Sequence, residues 1–279
     1  MAISASVQDR TITLNGLRFH YRDWGNEGAQ PLVLLHGLSS HAHSWDKFAA
    51  AMQQDFQILA LDQRGHGETA WADDYYADRM VEDLDAFISA LGLERIALLG
   101  LSMGGRNAYM YTALHPGVVE RLVIVDIGPE VPTAGRQRIQ TTMQSQDVFD
   151  DPEEAFRAAR AANHRPTDED LRHRVSHGLK QRDDGRWTFR YDPALRSPDR
   201  PIRRPDPETL WPLLPKIACP TLLIRGADSD VLSPETAARM AREIPNCTLV
   251  TVPDSGHSVP LDNPAGFLAA ARPFLIGSA

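Results

Sequence analysis

The chain has 279 residues, 42% of them hydrophobic and 24% charged, so it can bury one large core and has an ordinary globular composition. Its 29 basic and 37 acidic residues give a formal net charge of -8, which argues against nucleic acid or an anionic membrane surface as the main partner. No stretch is apolar enough for a signal peptide or a membrane span, and two cysteines make neither a disulfide framework nor a four-ligand metal site. We therefore expect a soluble cytoplasmic protein that acts on a small molecule.

The first half of the chain alternates short strands with helices. Residues 10–25 predict two strands around an Asn-Gly turn, which is typical of an antiparallel hairpin at a sheet edge. Buried strands are predicted from four aliphatic runs, at 31–37, 56–62, 95–101 and 119–127. The segments between these runs place apolar residues at helical spacing. This alternation predicts parallel strands joined by crossover helices.

The alternation stops over residues 129–215. This segment is polar and helical in pattern, with one strand-like piece at 183–192, and it is too long for a plain loop. Its fourteen arginines and one lysine are balanced by fifteen acidic residues, which indicates a solvated helical surface. Strands and helices then resume to the end of the chain. We predict a core domain formed by 1–128 and 216–279, and an inserted helical cap formed by 129–215.

A serine stands in a glycine-rich turn directly after the third aliphatic run. Gly100, Ser102 and Gly104 form the pattern G-x-S-x-G between a predicted strand and a predicted helix. Small residues let the strand turn sharply into the helix, which leaves the serine side chain exposed at the end of the strand. An isolated match of this kind is usually a structural turn, but this context favours a nucleophile.

A serine nucleophile needs a base, and the best of the ten histidines is His257. It lies in a loop rich in glycine and proline, after the last predicted strand and before the final helix. With Ser255, Gly256 and Ser258 around it, this histidine has no apolar face to pack into a core.

Five segments, in the order HGLSSHAHSW, LDQRGHGET, GLSMGG, RGADSDVLSP and DSGHSVP, together resemble the α/β-hydrolase superfamily, in the cap-bearing group. The resemblance covers nearly the whole chain. It implies an α/β-hydrolase fold, with a mostly parallel eight-stranded sheet flanked by helices and an inserted cap. It also implies that Ser102 is the nucleophile and His257 the general base, that the acid lies between them in the chain, and that no cofactor is required.

Two aspartates compete for the role of the acid. Asp230 follows the strand that usually supplies it and has Pro234 four residues later, a spacing often found in the family. Asp126 ends the preceding strand, a position that some family members use instead. We favour Asp230, keep Asp126 as the alternative, and interpret Asp228 as a solvated loop residue or turn cap.

Acyl transfer also needs donors for the developing oxyanion. Met103 opens a helix directly after the serine, so its backbone N–H is suitably placed. By similarity to the H-G-x loop of the family, the second donor is the N–H of Leu38. His36, before it, is expected to stabilise the loop, as are Asp62, Arg64 and His66 in the following segment.

Three further residues are candidates for binding substrate. Arg106 follows Ser102 by about one helical turn and could hold a substrate carboxylate, as a similar G-G-R stretch does in relatives with acidic substrates, or it could form an ion pair with a loop. Trp45 and Trp211 could line the pocket or pack the core. His41 and His43 are too few for a catalytic metal, which usually needs three protein ligands, so no metal is predicted.

The predicted function is hydrolysis of an ester, lactone or similar acyl bond of a small molecule through an acyl-enzyme on Ser102. The same fold and triad also serve C–C and amide bond cleavage of small acidic metabolites, so they do not fix the bond broken. A third alternative is a small-molecule receptor that binds its ligand beneath the cap. The sequence does not give the oligomeric state.

Overall fold

The computed structural model describes residues 7–197 and 205–277. The strands are β1 (Gln8–Leu14), β2 (Leu17–Asp23), β3 (Pro31–Leu35), β4 (Gln57–Leu61), β5 (Ile96–Leu101), β6 (Val119–Val125), β7 (Val148–Phe149), β8 (Leu179–Gln181), β9 (Trp187–Phe189), β10 (Thr221–Gly226) and β11 (Cys247–Val252). The α-helices are α1 (Asp46–Met52), α2 (Ala77–Ala90), α3 (Met103–Leu114), α4 (Thr133–Gln144), α5 (Pro152–Ala162), α6 (Asp168–Gly178), α7 (Pro207–Leu210), α8 (Pro234–Glu243), α9 (Val259–Asp262) and α10 (Pro264–Ile276). Short 3₁₀ turns span Ala42–Trp45, Pro193–Arg196 and Trp211–Lys216.

Eight strands form one sheet in the order β1-β2-β4-β3-β5-β6-β10-β11. Strands β1 and β2 pair antiparallel as a hairpin, and β2 pairs antiparallel with β4. The remaining neighbours in the sheet are parallel. The predicted mostly parallel sheet of eight strands is confirmed. In this order β5, β6 and β10 are neighbours, so the loops that follow them lie close together at the carboxyl-terminal end of the parallel strands.

Both faces of the sheet are buried, because helices cover each of them. Each central strand sends alternate side chains to the two faces. In β3, Val33 and Leu35 enter one apolar cluster, and Leu32 and Leu34 enter the other. Helices α2, α3 and α8 supply side chains to the first cluster, and α1 and α10 to the second. Layers of helices on both sides hold the strand ends in fixed positions.

The segment between β6 and β10 contains α4 to α7 and a small antiparallel sheet in the order β7-β9-β8. The sequence indicated only one strand-like piece here, because strands of two or three residues are too short to show a period of two. The division into a core and a cap at 129–215 stays a prediction, and residues 198–204 of that range lie outside the described residues. No helix in the described ranges is both long and apolar enough to cross a bilayer.

Candidate active site

Ser102 occupies a sharp turn between β5 and α3. Its backbone has φ 54° and ψ -117°, a conformation that a non-glycine residue rarely adopts. The backbone packs so closely around this turn that two positions have no room for a side chain. A Cβ at Gly100 would lie 2.3 Å from the carbonyl oxygen of Gly104, and one at Gly104 would lie 2.3 Å from that of Leu35. The two glycines of the motif are therefore required by space, and they leave the serine side chain facing a cavity.

Ser102, His257 and Asp126 form a continuous chain of hydrogen bonds. The Oγ of Ser102 lies 2.9 Å from Nε2 of His257, and Nδ1 of His257 lies 2.8 Å from Oδ2 of Asp126. An ionised carboxylate only accepts hydrogen bonds, so Nδ1 carries the proton and Nε2 is free to accept one from the serine. This tautomer is the one that a general base acting on Ser102 needs.

Asp126 is fully buried and held by two further donors. The backbone N–H of Gly226 donates to its Oδ1 at 2.9 Å, and the hydroxyl of Ser229 donates to its Oδ2 at 2.5 Å. The Ser229 oxygen also accepts the N–H groups of Val231 and Leu232, which commits its own proton to the carboxylate. Ser229 was not identified from the sequence, although it lies directly before Asp230.

The carboxylate hydrogen-bonded to His257 is not that of Asp230, the acid favoured from the sequence. Its carboxylate forms a bidentate ion pair with Arg138 of α4, at 2.5 and 2.8 Å, and this pairing lowers the pKa of Asp230. The position beside Nδ1 of the imidazole is taken by Asp126, the alternative acid, from the end of the neighbouring strand β6. Asp228 is exposed and pairs with Arg165, in agreement with a solvated loop residue.

Ser102 and His257 line a cavity of about 860 Å³. Leu38 and Met103, the predicted oxyanion donors, also line it. Met103 is the first residue of α3, so its backbone N–H has no acceptor within the helix. The cavity walls come both from the loops at the strand ends and from α4, α5 and α6, so a substrate at Ser102 would touch both parts of the chain.

The three predicted substrate-binding residues differ in their positions. Arg106 is buried and lines the cavity, with Nη2 3.2 Å from Oδ1 of Asn107. Trp45 is only 1% exposed; it borders the cavity but packs mainly against Phe48 and Phe267.

Of the two roles left open for Trp211, the structure gives it core packing: it belongs to the first apolar cluster and is not among the residues that line the cavity. Its indole N–H donates to Glu130 at 2.7 Å, and the guanidinium of Arg239 stacks on its ring. Its neighbour Leu210 lines the cavity instead.

Arg174 of α6 is a cavity residue that sequence analysis did not single out. Three other arginines of the cavity wall are paired with carboxylates: Arg138 with Asp230, Arg165 with Asp228, and Arg196 with Asp147. Within residues 7–197 and 205–277, Arg174 has no such ion pair, and burial lowers its pKa. No sequence signal distinguishes it among fourteen arginines, because only the docking of α6 turns it inward.

His36 and the segment that contains Asp62, Arg64 and His66 form hydrogen bonds that stabilise loops. Nε2 of His36 accepts the N–H of Gln63 at 3.0 Å, and burial lowers the pKa of this histidine. Asp62 accepts the N–H groups of Ala42 and Glu68, and Arg64 donates to Asp83. These contacts fix the loops around the cavity and agree with the expected stabilising role.

His41 and His43 have different environments despite their proximity in sequence. His41 is buried, its Nε2 lies 3.0 Å from the carbonyl oxygen of Arg174, and burial lowers its pKa to about 3. His43 instead lies beside His173 and His177 of α6. Those three histidines are the side chains in the described ranges that are grouped closely enough to hold a metal ion.

Comparison with known proteins agrees with this topology. A sequence model described as "alpha/beta hydrolase fold" matches residues 30–264. The chain is 32% identical to the 3-hydroxybutyrate-oligomer hydrolase of Cupriavidus necator, over 94% of each protein. It is 30% identical to the N-formylmaleamate deformylase of Pseudomonas putida, over 98% of each. Among solved structures, an alpha/beta hydrolase from Novosphingobium aromaticivorans superposes with a TM-score of 0.86, at 30% identity and 99% coverage of both chains.

Proposed function

The chain belongs to the α/β-hydrolase family, and on that premise we propose that this hydrolase cleaves an ester, lactone or similar acyl bond of a small organic molecule through an acyl-enzyme on Ser102. The observation that carries the proposal is the hydrogen-bonded chain from Ser102 through His257 to buried Asp126, at the wall of a cavity large enough for a small molecule. Two relatives with similar sequences are named as a 3-hydroxybutyrate-oligomer hydrolase and an N-formylmaleamate deformylase.

The reaction proceeds in two halves. Nε2 of His257 takes the proton of Ser102 as Oγ attacks the acyl carbon, and Asp126 stabilises the imidazolium that forms. The N–H groups of Leu38 and Met103 stabilise the oxyanion of the tetrahedral intermediate. Collapse of the intermediate expels the leaving group with the proton from His257. A water molecule, deprotonated by His257, then hydrolyses the acyl-enzyme and restores Ser102.

The test is hydrolysis of short-chain p-nitrophenyl esters by the wild type and by Ser102→Ala. We expect kcat/KM to fall by several orders of magnitude in the variant, because the nucleophile is lost. Thr112→Ala is a matched control, because this buried hydroxyl of α3 donates to the carbonyl oxygen of Ala108 within the helix. Slow turnover that is unchanged by Ser102→Ala would contradict the proposal and would favour a ligand-binding role.

A second observation favours a substrate that carries a carboxylate. This includes small acidic metabolites in which the bond cleaved is an amide or a C–C bond. Arg174 lines the cavity and forms no ion pair with a carboxylate in the described part of the chain, although the charge of Asp262 acts on it from a greater distance. Arg106 lines the same cavity. A half-buried cation of this kind is stabilised by a ligand carboxylate, which can accept two parallel N–H bonds from it. Arg174 and Arg106 are therefore the proposed readers of a substrate carboxylate.

Matched neutral and carboxylate-bearing esters test this second candidate. Arg174→Met should lower kcat/KM about 10- to 100-fold on the acidic ester and only slightly on the neutral one, as expected for a lost charge-assisted hydrogen bond. Arg106→Met is compared in the same way. Arg165→Met is the control, because Arg165 also lines the cavity but is paired with Asp228. An equal loss on both esters would exclude a carboxylate-binding role.

A further inference from the structure

Three histidines meet where α6 packs against the 3₁₀ turn Ala42–Trp45. His173 and His177 are four residues apart on α6, so their side chains lie on the same face of the helix. His43 comes from the turn that follows β3. Two histidines at this helical spacing with a third from another element form a common arrangement of zinc ligands.

The imidazoles are close enough to share one ion. One nitrogen of each ring lies within 4.8 Å of one nitrogen of each of the others. The ring centres of His43 and His177 are 3.9 Å apart, and those of His173 and His177 are 4.3 Å apart. Tetrahedral zinc, with Zn–N bonds of about 2.0–2.1 Å, needs ligand nitrogens about 3.4 Å apart. Binding of an ion therefore requires side-chain rotations that bring the nitrogens closer, and all three residues are partly exposed.

The hydrogen bonds around the cluster leave one nitrogen lone pair, on His177, free for an ion. The ring of His173 also bonds to the backbone of His43, so this bond must be exchanged for a metal bond. Nδ1 of His177 donates to the carbonyl oxygen of His173 at 2.8 Å, so Nε2 of His177 keeps its lone pair. Oδ2 of Asp46 lies 3.0 Å from Nδ1 of His43 and 3.0 Å from Nε2 of His173. A carboxylate that accepts from the far nitrogen of a ligating imidazole orients the ring and raises its basicity.

Arg22 is the cation that a metal ion would have to replace. Its Nη1 lies 2.7 and 2.8 Å from the two ring nitrogens of His43, while the same guanidinium pairs with Asp46 and Asp9. Displacement from His43 leaves Arg22 with both carboxylates. The two carboxylates also offset the charge that an added divalent cation brings.

We propose that His43, His173 and His177 bind one divalent late-transition-metal ion, of which Zn²⁺ is the type, with Asp46 orienting two of the imidazoles. Imidazole is a ligand that Zn²⁺, Ni²⁺ and Cu²⁺ all accept, and three protein ligands leave a fourth position for water. His43 and His173 line the cavity, so the ion lies in its wall. The ion ties α6 to the turn after β3 and thereby holds the cavity wall in place.

Zinc binding to the full, tag-free chain tests this site directly. Titration calorimetry with ZnCl₂ should give one ion per chain, and Co²⁺ should produce the visible absorption of a tetrahedral complex. His177→Ala and His43→Gln should each weaken Zn²⁺ binding at least tenfold. Asp46→Asn should weaken it about 10- to 100-fold, as removal of an outer-sphere carboxylate does. His164→Ala, at an exposed histidine outside the cluster, should bind as the wild type does.

The same titration in Ser102→Ala separates this site from the proposed reaction. Zn²⁺ should bind this variant with unchanged affinity and should raise the unfolding temperature of both proteins, because a ligand of the native state stabilises it. His177→Ala should lose the temperature shift while keeping its circular dichroism spectrum. Absence of stoichiometric binding, or equal affinity in His177→Ala, His43→Gln and the wild type, would overturn the proposal.

Discussion

Hydrogen bonds to the buried carboxylate of Asp126 compensate for the free-energy cost of removing it from water. It is shielded from water, and its oxygens accept hydrogen bonds from Gly226, Ser229 and His257. A buried charge without such donors would cost several kcal/mol, whereas three donors compensate for the lost hydration. Because the donors come from different segments, they also fix the direction of the carboxylate toward His257.

Substitution of each candidate acid should distinguish their roles. We expect Asp126→Asn to reduce kcat on p-nitrophenyl esters by about 10⁴-fold, because the amide no longer fixes the productive imidazole tautomer. Asp230→Asn should change kcat only a few-fold, because its partner is Arg138 on the cavity wall. Steady-state kinetics of both folded variants makes the comparison. The reverse order of effects would restore Asp230 as the acid.

Ser229 should act as a positioning residue through Asp126. Ser229→Ala removes a hydrogen bond to a charged group, so we expect kcat to fall about tenfold or more while KM changes little. Ser229→Thr, which keeps the hydroxyl, should recover much of the activity. A purely structural role would instead lower stability without altering the pH profile of kcat/KM. That profile is therefore measured together with the unfolding midpoint.

At the scale of elements, the β5–α3 junction is held by contact between backbones. The first turn of α3 packs against the carboxyl end of β3, where Gly104 approaches Leu35 and His36. This approach sets the height of Ser102 above the sheet and places the N terminus of α3 beside the loop of Leu38. The geometry of the site therefore depends on two glycines that take no part in the chemistry.

Gly104→Ala should destabilise the fold although alanine favours helices. The added Cβ would meet the Leu35 carbonyl oxygen at 2.3 Å, and relief requires a backbone shift. We expect a loss of about 2 kcal/mol or more in the free energy of unfolding, measured by urea denaturation. Gly178→Ala in α6 is the control: its Cβ would meet only the His41 side chain, at 3.3 Å, so the change should stay within about 1 kcal/mol. Equal effects would refute the close-packing explanation.

At the scale of the whole molecule, Asp62 links the hairpin to the loops around the cavity. Nδ1 of His20, on β2, lies 2.7 Å from Oδ2 of Asp62, which follows β4. Burial raises the pKa of Asp62, but the hydrogen bond of His20, the charges of His36 and His20, and the N–H of Glu68 together outweigh burial and lower it to about 2. Burial lowers the pKa of His20, but the bond to Asp62 reverses this, and the net pKa is raised.

The opposite shifts predict a window of maximal stability for this pair. The contribution of Asp62 is complete above its unfolded pKa of 3.8 and is lost as the pH falls toward 2, which amounts to about 2 kcal/mol. The contribution of His20 is complete below pH 6.5 and is lost as the pH rises through its raised pKa. The pair thus stabilises the fold most between these values.

Urea denaturation across pH 2 to 8 measures this window. Asp62→Asn should flatten the acid limb of the stability curve, and His20→Gln should flatten the neutral limb. Asp73→Asn, an exposed carboxylate, should leave the shape of the curve unchanged. An acid limb in Asp62→Asn as steep as that of the wild type would contradict the assignment.

The sequence by itself determined the alternation of parallel strands and helices in the core and the position of Ser102 at a strand-to-helix turn, whereas the number of strands in the sheet came from the family resemblance. These features follow from hydrophobic periodicity and from glycines that only a close backbone approach explains, and both are local properties of the chain. The expectation that His257 would serve Ser102 came from its loop position and from the family resemblance, and in the structure Nε2 of His257 lies 2.9 Å from Oγ of Ser102.

Only the tertiary structure decided which side chains meet across elements. Asp126 and Asp230 follow adjacent strands, so the partner of His257 depends on side-chain directions: Asp126 bonds to His257, and Asp230 pairs with Arg138. The docking of α6 likewise turns Arg174 into the cavity and brings His173 and His177 to His43. These contacts join residues about ninety or more positions apart, for example 92 for Arg138 and Asp230 and 131 for Asp126 and His257. No local pattern in the sequence encodes the packing that brings them together.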